Sequence, residues 1–167
     1  TATNHEEQEA EFLSRIVLSD NEYTDGRVVF SCPAGFECEK LEVEGEPVFT
    51  MSTETQGITI VSDYNTDDSQ RSADIIWKNS EEEALKQYRY TSLTDEEKTI
   101  NGCRTFIKTG KYESGYTVWD SKFVYRRFAV IFHENSGKVC LVNCFDQGDY
   151  NYFEPFLKTI RFGLESE

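Results

Sequence analysis

Two histidines, five cysteines and one loop of alternating oxygen donors are the residues of this 167-residue chain whose types could do chemistry. A nucleophilic dyad or triad needs an imidazole held within hydrogen-bond reach of its hydroxyl or thiol. His5 stands in an acidic N-terminal stretch and His133 beside a hairpin loop, and neither has a partner that spacing supplies. His133 therefore reads as a solvated turn residue rather than a base. There is no glycine-rich phosphate loop, no nucleophile elbow and no pair of histidines at metal-ligand spacing. Asp63, Asn65 and Asp67 do place donors at alternate positions, as in the first half of a calcium loop, with Asp74 at the twelfth position. However, Asp68 stands where the sharp turn needs glycine, and the twelfth ligand is normally Glu, so a polar loop capping its own turns is the better reading. No catalytic residue, cofactor or metal is expected.

The cysteines allow a different chemistry. Cys32 and Cys38 bracket Pro33, Ala34 and Gly35, and a bridge between them would close a small loop; the spacing permits a disulfide without showing one. Cys140 and Cys144 share a strand face about 13 Å apart, too far to bond each other, and either could face Cys103 on a neighbouring strand. The alternative for most of the five is that of small buried apolar residues. An odd number leaves one thiol over in a monomer, which permits an oxidising compartment without requiring one.

Charge is the most informative feature. The chain carries a formal -14, which repels phosphate backbones and argues against nucleic acid as a partner. Yet between Lys98 and Arg127 seven basic residues face two acidic ones, so that segment nets +5 against -19 for the remainder. Tyr112, Tyr116, Trp119 and Tyr125 are interleaved, and Arg104 and Lys108 would project from one face of their strand. Arg104, Lys108, Trp119 and Arg126 are therefore the candidate contacts for an anionic ligand or an acidic protein surface. The competing reading is that these cations pair with the domain's own acids.

The elements that must position these residues fit one domain, residues 27–167, preceded by an acidic helical arm over 1–26. Residues 5–18 carry Ala10, Leu13, Ile16 and Val17 at helical spacing. Asp25-Gly26 turns into a strand over Arg27 to Ser31, and Pro47 to Met51 pairs with Gly57 to Val61 across a polar loop. Ala73 to Trp77 follows a loop, and Ser80 with Glu83 has capping-box spacing ahead of a helix bearing Ala84, Leu85 and Tyr88. Asn101-Gly102 is a turn before a strand over Cys103 to Thr109, and Tyr116 to Trp119 is a further strand.

Phe123 to Phe132 and Val139 to Phe145 form a hairpin closed by Glu134-Asn135-Ser136-Gly137. With His133 opposite Lys138, Phe128, Val130 and Phe132 share a face with Val139 and Leu141, while Tyr125, Ala129 and Ile131 share the other with Cys140 and Val142. Both faces are apolar, which places the hairpin mid-sheet with cover above and below. Tyr152 to Ile160 reads as a terminal helix with Pro155 in its first turn, and Arg161-Phe162-Gly163 as a segment closing the sheet.

The order of these elements carries a resemblance. A strand ending in Ser31-Cys32-Pro33-Ala34-Gly35-Phe36, the Ile58-Thr59-Ile60 strand, a helix, Ile100-Asn101-Gly102, a long hairpin and Phe153-Glu154-Pro155-Phe156-Leu157-Lys158-Thr159-Ile160-Arg161-Phe162 together resemble the PsbP-like family over roughly residues 27–163. That family includes an extrinsic subunit of the photosynthetic oxygen-evolving complex, a nuclear Ran-binding protein and many bacterial proteins, several exported or lipid-anchored. The resemblance implies an α+β three-layer sandwich, its central mainly antiparallel sheet flanked by helices. It also implies a non-enzymatic extracytoplasmic accessory or binding module, with a bacterial source the usual one, and it transfers no functional residue. No stretch is apolar for long enough to span a membrane as a helix; a signal or lipid-anchored tether removed ahead of Thr1 is one expectation, a leaderless protein the other. A small-molecule hydrolase using a carboxylate pair, or an intracellular chaperone or adaptor, are the alternatives.

Overall fold

The computed structural model describes residues 2–64, 90–112 and 124–163. Helix α1 (Ala2–Arg15) is followed by β1 (Glu22–Thr24), β2 (Val29–Ser31), β3 (Glu37–Val43), β4 (Glu46–Ser52), β5 (Gly57–Tyr64), β6 (Tyr90–Ile100), β7 (Cys103–Tyr112), β8 (Tyr125–His133), β9 (Lys138–Asp146) and the short helix α2 (Phe153–Leu157). Seven strands form one antiparallel sheet in the order β3-β4-β5-β9-β8-β7-β6. A separate two-stranded ribbon, β1-β2, lies outside it, and β1 falls within the 1–26 segment.

Tight turns set the registers. Asn101 and Gly102 both have positive φ, the requirement of a type I′ hairpin, so Ile100 pairs with Cys103 and every later pair of β6 and β7 follows until a bulge at Ser92/Thr94. The β8-β9 hairpin closes with His133 opposite Lys138, through one 3₁₀ turn over Glu134–Ser136, and Phe132 meets Val139 as the alternation requires. This hairpin sits at the sheet centre, with β5 on one side and β7 on the other. Its two faces are both buried, as two apolar faces demand.

One face carries the main core: Met51, Ile58, Ile60, Ile107, Ala129, Ile131, Val142 and the thiols of Cys140 and Cys144. Val28 and Phe30 of the ribbon region, with Phe153, Phe156 and Leu157 of α2, join that cluster. Phe30 is the link between layers, its ring 5.1 Å edge-on from Phe49 and 6.2 Å from Phe156. The other face groups Tyr112, Phe128, Val130, Phe132, Val139 and Phe145, with Phe106 and Leu141 beside them.

Several expectations are corrected or narrowed by these contacts. Arg161 pairs through its backbone with Val29 of the ribbon, at 2.8 and 2.9 Å, so the C-terminal segment extends the ribbon and does not close the main sheet. The terminal helix is five residues long, because the carbonyl of Phe156 already takes the Thr159 amide in a tighter turn. Cys103 lies on β7, separated from Cys140 and Cys144 on β9 by the whole of β8, so neither of those thiols faces it from an adjacent strand. Strands β3 and β6 are additional; their charged residues, Glu37, Glu39, Asp95, Glu96 and Glu97, suit sheet edges that must stay unpaired. The segment Ala73 to Trp77, the helix expected after Ser80 and the strand at Tyr116 to Trp119 fall outside the described residues, as does most of the Asp63 to Asp74 loop. The described residues thus show the antiparallel sheet and one of the two covering layers.

Helix α1 docks by polar contacts more than by apolar ones. Phe12 is its buried anchor, lying under the Lys138 ammonium at 4.0 Å. Around it Glu9 pairs with Arg27 at 2.9 Å, Glu46 holds the same guanidinium at 3.0 Å, and the His5 ring stacks 3.8 Å above Tyr64. Asp25 completes the network by accepting the amides of Arg27 and Val28 and the Ser62 hydroxyl.

Candidate binding surface

Period-two alternation sends Arg104, Phe106 and Lys108 of β7 to one face of the sheet, the face that also holds Phe132. Arg126 of β8 joins them: it lies opposite Gly110, diagonal to Lys108 across the strand pair. Three of the four expected contact residues are thus brought together, while Trp119 lies outside the described residues. The Arg104 guanidinium covers the Phe106 ring at 4.8 Å, Phe106 meets Phe132 edge-on at 5.9 Å, and Arg126 lies 5.9 Å from the Phe145 ring centre. The result is a ridge of cations on an aromatic floor.

Each cation also has a partner in the fold. Glu97 takes Arg104 at 2.8 Å, Asp95 takes Lys108 at 3.4 Å, and Arg126 donates to the side-chain carbonyl of Asn143 at 3.0 Å. Glu97 and Asp95 lie on β6, antiparallel to β7, so the acidic stretch just before Lys98 in sequence is folded back onto the basic stretch just after it. The side chains of Arg104 and Glu97 are both about half exposed, 52% and 48%, and such pairs contribute only about 0–1 kcal/mol in water. An incoming carboxylate can replace them at little cost.

Arg127, next in sequence, faces the other way and does something else. It is 8% exposed and makes a two-point bridge to Asp146, Nε at 2.7 Å and Nη2 at 3.0 Å. Asp146, fully buried, also accepts the Tyr152 hydroxyl at 2.8 Å and the Gly148 amide at 2.9 Å. The exposed Tyr150 ring covers the guanidinium at 4.0 Å. Burial alone would lower the Arg127 pKa, and the hydrogen bond and charge of Asp146 more than reverse that. This is a structural joint between the sheet and the start of α2.

His133 closes the β8-β9 hairpin between two clefts of about 510 and 580 Å³, which also share Asn101 and Cys103. Its ring lies flat on Phe162 at 4.9 Å and its Nδ1 contacts Ser136 Oγ at 2.6 Å. Burial, and then the Lys138 ammonium across the hairpin, holds the imidazole below its ordinary 6.5. As the pH falls below that value the unfolded chain takes up a proton that the folded one resists, so stability is complete above it and declines beneath it. Thermal melts should therefore show the wild type losing more stability than His133→Gln between about pH 7.5 and 5.5; equal losses would contradict this placement.

All five cysteines are free thiols, three of them buried: Cys103, Cys140 and Cys144. Cys32 and Cys38 are partly exposed, and burial and the neighbouring Cys32 raise the Cys38 thiol to about 11. Among the described residues no three His, Cys, Asp or Glu side chains are grouped to hold a metal ion.

The fold of these described residues, a seven-stranded antiparallel sheet with a ribbon and a short C-terminal helix, is similar to the folds of PsbP and Mog1. The solution structure of the cyanobacterial PsbP of Synechocystis superposes with a TM-score of 0.59 at 12% identity, over 84% of this chain and 91% of that one. The crystal structure of the Saccharomyces cerevisiae Ran-binding protein Mog1p gives 0.53 at 13%, over 89% and 98%. A crystal structure from Bacteroides thetaiotaomicron gives 0.54 at 11%, where this chain covers 90% of itself and 51% of the other. No family model matches the sequence, and no curated protein sequence matches it either. No helix among the described residues is long and apolar enough to cross a membrane.

Proposed function

We propose that this chain is a non-enzymatic binding module that recognises an acidic protein surface through Arg104 and Lys108 of β7 and Arg126 of β8. The observation that carries the reading is their common face, set side by side over Phe106, Phe132 and Phe145, with the exposed Glu97 and Asp95 and the neutral Asn143 among their partners. Arginine over an aromatic ring turns its planar hydrogen-bonding edge outward, where a carboxylate can compete for it, while its face is already desolvated. Mog1p, a Ran-binding protein, is a case in which the same fold serves protein recognition. In this reading the module is an extracytoplasmic accessory subunit, and the complete reading frame tests that point: a signal or lipid-attachment sequence upstream of Thr1 agrees with it and a cytoplasmic start does not.

The contact surface is tested with matched baits. Wild type and an Arg104→Glu/Lys108→Glu variant of equal melting temperature are used to capture partners from the source organism. The partner retained by the wild type is expected to bind the variant at least tenfold more weakly, about 1.4 kcal/mol, with the loss largest at low salt. Equal retention by both baits removes the proposed surface.

A further inference from the structure

The turn between β2 and β3 assembles a site that the binding surface does not use. Pro33 accepts the Phe36 amide at 3.1 Å, and Gly35 takes φ +85°, the left-handed position a type II turn requires at its third residue. The turn returns the chain from Cys32, just past β2, to Cys38, the second residue of β3. The Cys32 thiol reaches the Phe36 carbonyl at 3.4 Å, two residues before Cys38, and the two thiols are near enough to act on each other's ionisation. Both side chains back onto the main core and are partly open to solvent on their other side, whereas Cys140 and Cys144 are sealed inside it.

We propose that Cys32 and Cys38 form a closable dithiol, a site at which exchange with a small cationic disulfide leaves a Cys32–Cys38 disulfide joining the covering ribbon to the edge of the sheet. Cys32 attacks first. Its thiolate displaces one thiolate from the small disulfide to give a mixed disulfide; the Cys38 thiolate then attacks the Cys32 sulfur and expels the second. The protein loses two electrons and two thiol protons, and the small disulfide leaves as two thiols. The order follows from acidity: burial raises both thiols, and burial together with the neighbouring Cys32 carries Cys38 further, up to about 11, so Cys32 is the readier thiolate. The preference for a cationic reagent follows from the field of a chain of net charge -14, to which Glu37 and Glu39 on the opposite face of β3 contribute. None of this depends on the proposed binding surface.

The test uses cystamine and oxidised glutathione, a cationic and an anionic disulfide, on the native chain. Trypsin cleavage after Arg27 and Lys40 leaves both cysteines in one peptide, Val28 to Lys40. After cystamine treatment and alkylation that peptide is expected to carry no alkyl group and to have lost the mass of two hydrogens, with the rate rising about tenfold per pH unit below pH 9. Cystamine should act faster than oxidised glutathione. Cys32→Ser should block closure, and Gly35→Val should slow it about tenfold by straining the left-handed turn. The proposal is overturned if both cysteines of the native chain remain alkylatable, or if the cysteamine mixed disulfide accumulates without closing.

Discussion

Asp146→Ala is expected to remove about 3–5 kcal/mol of folding free energy, a large fraction of the roughly 5–15 kcal/mol of an ordinary domain. Asp146 has no exposed surface and its two oxygens serve Arg127, Tyr152 and the Gly148 amide. Truncation strands the Arg127 guanidinium, 8% exposed, in a site that water cannot enter freely, and leaves the Tyr152 hydroxyl without its acceptor. The cost is that of a buried uncompensated charge, not of one lost hydrogen bond. The mechanism has its own control: Arg127→Met combined with Asp146→Leu removes both charges and should lose less than Asp146→Ala alone. Urea denaturation of the three proteins measures this, and a single-variant loss under about 1 kcal/mol would mean that the bridge is solvated.

Phe30→Ala should cost a similar amount, about 3–5 kcal/mol, by another route. The ring has no exposed surface and lies between Tyr23, Phe49 and Phe156, so it joins ribbon, sheet and C-terminal helix in one contact set. Removing it leaves a cavity that three separately anchored elements cannot all collapse into. Phe30→Leu keeps most of the volume and should lose less than half as much. Denaturation midpoints for the two variants decide the point; equal losses would show that edge-on ring geometry, not volume, governs the site.

The parts of the fold written in side-chain alternation were legible in the sequence. The β8-β9 hairpin is one: Phe128, Val130 and Phe132 on one face and Ala129 and Ile131 on the other require a register with His133 opposite Lys138, and the strands take it. The order of elements pointed to a PsbP-like fold, which the superpositions show. Strands β3 and β6 were illegible by hydrophobic pattern because edge strands protect themselves with charge, and Glu37-Cys38-Glu39-Lys40 or Asp95-Glu96-Glu97-Lys98 read as loop. A signal for β6 existed nonetheless. Extending the Asn101-Gly102 hairpin backwards by the same number of residues as forwards sets Asp95 against Lys108 and Glu97 within reach of Arg104. Counting charge along the chain from Lys98 missed those acids and made the basic segment look more isolated than it is in space. Arg126 and Arg127 illustrate the remaining limit: adjacent in sequence and identical in type, one joins the outward ridge and the other is buried against Asp146, and only the strand's facing separates them.

Hydrogen exchange on the protein with its captured partner is the most direct measurement of the proposed surface. Slower exchange is predicted in peptides spanning Arg104 to Lys108 and around Arg126, with the β3-β4 hairpin and α1 unchanged. Protection confined to α1 or to β3 and β4, with the Arg104 to Lys108 peptides exchanging as in the free protein, would contradict it.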